Sequence, residues 1–197
     1  MASSHRTQVR EDLLDAAEEL FASAGYASVT HADIAFAARI GRTTFYEYFA
    51  SKEDLLVQLV ETKWPRLARD LVNGIPGDVA TVDRLCELTL RMIEFVATDP
   101  LGSLLHTEVL RLGPRSQALI AQAHASTELS DEFVRLYRRG VREGLFRAMP
   151  VDIAARLMYE VIMAAGRVLK SSPDPKQRVH EVGDAVTAFL MAGLRGG

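Results

Sequence analysis

Cysteine is nearly absent from this chain of 197 residues. Cys86 stands alone, so an intramolecular disulfide is excluded, and cytoplasmic residence is the expectation. Cys86 itself reads either as a functional thiol or as a small buried core residue. Long apolar runs are missing too. No stretch approaches the roughly 20 residues that a bilayer-spanning helix needs, so no membrane partner is expected. The opening MASSHRTQVRED has no apolar run behind its basic residues and does not read as a signal peptide.

Positive charge is also in short supply. The net charge is −3, and residues 1–50 hold more acids than bases. That excludes a protein that coats nucleic acid indiscriminately, and leaves only a local patch of Arg39, Arg42 and Lys52. No GxSxG, Walker loop, HExxH or paired-carboxylate signature is present, which argues against an enzyme. Neither metal nor cofactor is expected: no His, Cys or carboxylate pair, His106 and His124 included, has ligand spacing on one helix face.

What is present is a series of helical patterns, so the fold class is all-α. Leu13, Leu14, Ala17, Leu20, Phe21 and Ala24 repeat at helical spacing up to Gly25. Thr30 with Asp33 reads as a capping box for a short helix whose inner face is Ile34, Ala35 and Ala38. Gly41 then gives the backbone freedom where a third helix begins. On it, Phe45 and Phe49 share a buried face, while Arg42, Thr43 and Tyr46 face outward. Thr30 to Lys52 therefore reads as a helix-turn-helix that offers a short, aromatic-backed helix to the DNA major groove. Ser51 with Asp54 opens a long helix, which Pro65 should kink or interrupt.

Five further helical stretches follow Asn73–Gly77. They run from about Val79 to Thr98, from Asp99-Pro100 to Gly113-Pro114, from about Arg115 to Glu143, from about Val151 to Leu169, and from about Lys176, after Asp174-Pro175, to Leu194. The Val151–Leu169 stretch is apolar over most of its circumference, with only Asp152, Arg156 and Glu160 as a polar stripe. Such a helix is buried on two sides. Paired with the last helix, it predicts a dimer interface of Leu157, Val161, Ala165, Val168, Val182, Val186, Phe189 and Leu190; the other reading is a core pair within one chain. Trp64, Met92, Phe95, Leu105, His106, Val109, Phe133, Tyr137 and Met163 are candidates for lining a mostly apolar ligand cavity, against the commoner role of plain core. Glu94 and Glu108 sit among apolar neighbours, either as buried acids suited to a cationic ligand or as exposed helix-surface groups.

The N-terminal third resembles the TetR family of bacterial transcriptional regulators. The match rests on Arg10-x-x-Leu13-Leu14-x-Ala16-Ala17-x-x-Leu20-Phe21, Gly25-Tyr26, Asp33-Ile34-Ala35 and Thr44-Phe45-Tyr46-x-Tyr48-Phe49-x-Ser51-Lys52-x-x-Leu55. The resemblance implies a helix-turn-helix head over 1–50, a helical ligand-binding and dimerisation domain over 51–197, and a homodimer. Its partners would be double-stranded operator DNA and a small-molecule effector, with repression the family's commonest mode. By the same resemblance, Thr30, Arg42, Thr43, Tyr46, Tyr48 and Lys52 fall at DNA-touching positions, and Thr44 at one that is partly structural.

Phosphate contacts are assigned to Thr30, Tyr48 and Lys52 and base edges to Arg42 and Thr43, with Tyr46 serving either. Four positions depart from the family pattern. Arg39 stands where Gly is usual, in an ordinary turn that adds a charge within reach of phosphate. Gly41 stands where Ser is common and His31 where an apolar residue is. Glu47 either accepts from a cytosine amino group or points to solvent. The alternative function is a helix-turn-helix regulator gated by a protein partner, or a constitutive one, with no small-molecule inducer.

Overall fold

The protein is described here by a computed structural model covering residues 2–125 and 127–195, the side chains of 2–4 and 105–107 excepted. Among the described residues it is all-helical. In chain order the elements are α1 (Ala2–Ala24), α2 (His31–Ala37), α3 (Arg42–Tyr48), α4 (Lys52–Asn73), α5 (Thr81–Thr98), α6 (Pro100–Thr107), a 3-10 turn (Glu108–Arg111), α7 (Pro114–Ala125), α8 (Glu128–Arg142), α9 (Val151–Lys170) and α10 (Val179–Leu194).

The expected punctuation works locally. Gly25 leaves α1 with φ +82°, a left-handed conformation open to glycine at little cost. Thr30 and Asp33 close a reciprocal box: Thr30 Oγ1 accepts from Asp33 N at 3.2 Å, and Asp33 Oδ2 accepts from Thr30 N at 2.8 Å. Ser51 caps α4, and Asp99 caps α6 by accepting from Leu101 and Gly102 N–H.

Helices α1, α2 and α3 form the N-terminal cluster, with Leu13, Ile34, Phe45 and Phe49 almost wholly buried. From it α4 runs back along α7 and α8, while α5 packs between α9, α10 and α8. Charged ties fix α1 to α4: Lys63 reaches Asp15 at 2.7 Å and Glu18 at 2.8 Å, and Arg10 donates to Gln58 at 2.7 Å. Deeper in, Arg84 of α5 pairs with the buried Glu132 of α8 and donates to the Ile75 and Pro76 carbonyls, at 3.0 and 2.8 Å. Removing one member of such a buried pair strands the other's charge, at a cost of about 3–5 kcal/mol.

At several points the helices depart from the sequence expectations. Pro65 lies within α4 without interrupting it, and the carbonyl deprived of a partner belongs to Glu61, an exposed residue. The single long pattern from Arg115 to Glu143 is two helices. Thr127 ends the first by donating to His124 O at 3.0 Å and starts the second by capping Ser130 N. Asp174-Pro175 does not open α10 but sits in a turn, Asp174 at φ +49°, and the helix begins at Val179.

Another departure concerns Gly41, which caps α3 at φ −66° and needs no glycine freedom; an added Cβ would meet only ordinary contacts. A further one concerns Arg39, which is not in an ordinary turn. It takes φ +58°, donating to Phe36 O while Ile40 N–H reaches Ala35 O, both at 3.0 Å, so a side chain occupies the left-handed C′ position of a Schellman motif.

Candidate functional site

The short helix α3 is held from beneath and bare above. Phe45 and Phe49 are buried with ring centroids 5.8 Å apart, which fixes the helix on the core. That leaves Arg42, Thr43, Tyr46 and Glu47 exposed along the opposite face, with Thr44 and Tyr48 half-buried at its edges. Arg39 is exposed at the turn beside them.

Two of these side chains are steered by His31, on α2. Its Nε2 accepts from Arg42 Nε at 3.1 Å, which requires a neutral imidazole with its proton on Nδ1. Its ring also packs on Tyr46, with centroids 5.1 Å apart. His31 was legible only as a departure from an apolar position, and its steering role needed the crossing of α2 and α3. Arg6 lies 5.9 Å over the Tyr48 ring, so the start of α1 borders the same surface.

Thr30 and Lys52 are more committed to structure than to an exposed surface. Besides its capping bonds, the Thr30 hydroxyl donates to Asp33 Oδ2 at 2.7 Å. Lys52 Nζ donates to the carbonyls of Tyr26 and Val29 at 2.7 and 2.8 Å and rides 4.3 Å over the Tyr26 ring. Burial lowers the Lys52 pKa, with Glu108 pulling the other way. Only one of its three N–H donors is left for a phosphate.

The second candidate site is a cavity of about 550 Å³ among the 3-10 turn, α7, α8 and α9. Of the residues proposed from sequence, Val109, Phe133 and Met163 line it. Trp64, Met92, Phe95 and Tyr137 do not. Trp64 and Met92 are fully buried core, and Trp64 stacks against His124 at 4.7 Å and Phe95 at 6.2 Å. Tyr137 is a strut whose hydroxyl donates to Arg147 O at 2.8 Å and accepts from Met149 N at 2.7 Å, clamping the α8–α9 loop. Leu105 and His106 lie outside the described side chains. Glu94 is exposed and Glu108 is paired with Arg111 at 3.2 Å, so neither is a lone buried acid.

Sequence reasoning missed His124, Tyr159 and Arg167 on the cavity wall, and the polar stripe of Asp152, Arg156 and Glu160 also lines the cavity. Burial drives the His124 pKa down to about 4, so the ring is neutral at ordinary pH. Its Nδ1 lies 3.4 Å from the Tyr159 hydroxyl. Burial likewise pushes the Tyr159 phenol up, with Glu160 adding to the effect and Arg167 opposing it. Among the described residues no group of three or more His, Cys, Asp or Glu is placed to hold a metal ion, and no helix is long and apolar enough to cross a membrane.

Cavity and α3 surface are joined through α4. Val109 and Leu110 are wall residues, and just beyond them Gly113 N–H donates to Glu53 Oε1 at 3.1 Å, in the first turn of α4. The next residue towards α3 is Lys52, with its grip on the loop before α2. Tyr26, in that loop, has its phenol pushed up to about 12 by burial and by the nearby charges of Glu53 and Glu108.

With this arrangement in view, residues 13–59 match the family described as bacterial regulatory proteins, tetR family. That match takes in α2, α3 and the adjoining parts of α1 and α4. An uncharacterised HTH-type transcriptional regulator of Mycobacterium tuberculosis is 39% identical over 95 residues, 46% of this chain and 47% of that one. The chain thus spans about half the length of that relative. The HTH-type transcriptional repressor KstR2 of Rhodococcus jostii is 27% identical over 196 residues, covering 98% of this chain and 94% of its own. Among solved structures, FadR of Bacillus subtilis in complex with stearoyl-CoA superposes with a TM-score of 0.74 at 19% identity, covering 94% of this chain and 99% of that one. At that identity the likeness is one of fold.

The predicted dimer surface divides in two. Leu157, Val168 and Phe189 are 55%, 73% and 67% exposed, and Ile153 joins them at 52%. Val161, Ala165, Val182 and Val186 are half-buried between them. Leu190 is a correction: it is only 6% exposed and belongs to the protomer's own core.

Proposed function

We propose that this TetR-type chain is a transcriptional repressor that grips a near-palindromic operator as a homodimer and is released by a small-molecule effector. It would work in the cytoplasm, with 1–50 as the DNA-binding head and 51–197 as the effector-binding and dimerisation part. The observation that carries the reading is the α3 surface: Arg42, Thr43 and Tyr46 exposed together on a helix whose other face is locked by Phe45 and Phe49. Arg42 and Thr43 read base edges, Tyr46 serves base or backbone, and Arg39, Thr44, Tyr48 and Lys52 set the register on phosphate, while Thr30, with both its donors given to Asp33, holds the start of α2 instead. Two protomers joined through α9 and α10 present two such helices to half-sites about 34–36 Å apart, or a multiple of that.

Release follows the connection through α4. An effector that fills the cavity displaces the Val109–Leu110 wall, and Gly113 carries the change to Glu53 and Lys52. For this to weaken operator binding, the effector must favour the DNA-incompetent shape. The cavity favours this reading over gating by a protein partner or constitutive action. Operator mapping across the genome, followed by binding measurements with Arg42→Ala, tests the DNA half. The variant should lose roughly ten- to a hundredfold in affinity, equivalent to 1–3 kcal/mol, with fold and dimer intact. Equal affinity of wild type and variant on the mapped operator would refute the assignment.

A further inference from the structure

Among the described residues, one cation on the cavity wall has no ion-pair partner. Among the described residues, the half-buried lysines and arginines Arg10, Lys52, Lys63, Arg84, Arg91, Arg139 and Arg178 each engage a carboxylate, an amide or a backbone carbonyl. Arg167 is half-buried, lines the cavity, and makes no hydrogen bond or ion pair through its guanidinium. A partly desolvated guanidinium left without a partner is unfavourable, and an incoming anion removes that cost.

The rim carboxylates do not supply the partner. Glu160 is turned to Arg156, 3.8 Å away, and seven residues of helix separate it from Arg167, about 10 Å along the axis. Asp152 lies in the first turn of α9, about 22 Å from Arg167 by the same rise. Positive charge is therefore concentrated at the end of the cavity where Tyr159, Met163 and Arg167 share one face of α9. Tyr159 adds a phenolic donor there, and its environment keeps the proton on. The remaining wall is largely apolar, with Ile120, Phe133, Val134 and Met163 prominent.

We infer that the cavity takes an amphipathic organic anion, its apolar body among Ile120, Phe133 and Met163 and its carboxylate or phosphate head on Arg167 and Tyr159. This rests on the cavity being the effector site, and names the chemical class that site selects.

The test is calorimetric titration of the full chain with decanoate, decyl phosphate and 1-decanol, which share an apolar tail and differ in head. Quenching of Trp64, the chain's single tryptophan, gives a second readout, because its ring lies 4.7 Å from that of the cavity residue His124. At least one anion should bind roughly tenfold more tightly than the alcohol, and whichever does identifies the head. Arg167→Gln should abolish that preference while changing affinity for 1-decanol by less than about twofold, and Arg167→Lys should restore part of it. Tyr159→Phe offers an independent check should Arg167→Gln fold poorly, with a smaller loss confined to the anions. Binding of 1-decanol as tight as that of both anions, or an unchanged preference in Arg167→Gln, overturns the anion assignment and leaves the cavity reading standing. Failure of all three probes to bind overturns both.

Discussion

Arg39 occupies a left-handed position that glycine fills more cheaply, so its side chain is retained against a backbone cost. Arg39→Gly should raise unfolding stability by about 1 kcal/mol in a denaturant titration and weaken operator binding at low salt, with a shallower salt dependence. His124 illustrates the opposite economy, a buried group kept neutral. Its pKa in the fold is about 4 against an ordinary 6.5. Between those values the unfolded chain binds a proton that the folded chain refuses, so stability rises with pH across the window. The contribution is complete above about pH 6.5 and is lost as pH falls towards about 4, with a ceiling of about 3 kcal/mol. Urea melts across that range should show the loss in the wild type and a flatter profile in His124→Phe. Neither feature was legible beforehand: Arg39 read as an ordinary turn residue, and His124 was weighed only as a metal ligand.

At the scale of elements, what the sequence shows and what it hides divide by range of interaction. The caps at Thr30, Ser51 and Asp99, the stop at Gly25 and the buried pair Phe45 and Phe49 were readable because each depends on residues within a turn or two. The break at Thr127 was not, because apolar spacing continues across it and only the Thr127 hydroxyl's bond to His124 O reveals the gap. The cavity was least legible. Its wall draws on four elements, and Tyr137, which looks like a lining residue by type, is spent on the α8–α9 loop instead. The link from Gly113 to Glu53 is likewise invisible across sixty positions of chain. It makes a sharp prediction: Glu53→Ala should bind operator nearly as tightly as wild type, yet release it far less on addition of effector, as seen in gel-shift titrations.

For the whole molecule, α9 and α10 leave a run of exposed apolar side chains, the surface assigned to the proposed dimer. The double change Val168→Glu and Phe189→Glu sets charges into that surface without touching the protomer core. Sedimentation should show a dimer for the wild type and a monomer for the variant. Operator affinity should fall steeply with it, because two joined heads act at high effective concentration. Retention of the dimer by the variant would place the interface elsewhere. Of the residues the sequence assigned to this surface, Leu190 shares the period of its neighbours but faces inward.

Pro65 bears on how such a molecule moves. With one rung of its ladder gone, α4 bends most cheaply near its midpoint, where the solvent-side carbonyl of Glu61 has no amide to resist separation. The half that carries Glu53 and the half that lies towards Asn73 are then two stiff rods on a compliant joint. In the proposed release route the push enters α4 at Glu53, on the α3 side of that joint, so the proline would shield the short lever to Lys52 from motions of the far half.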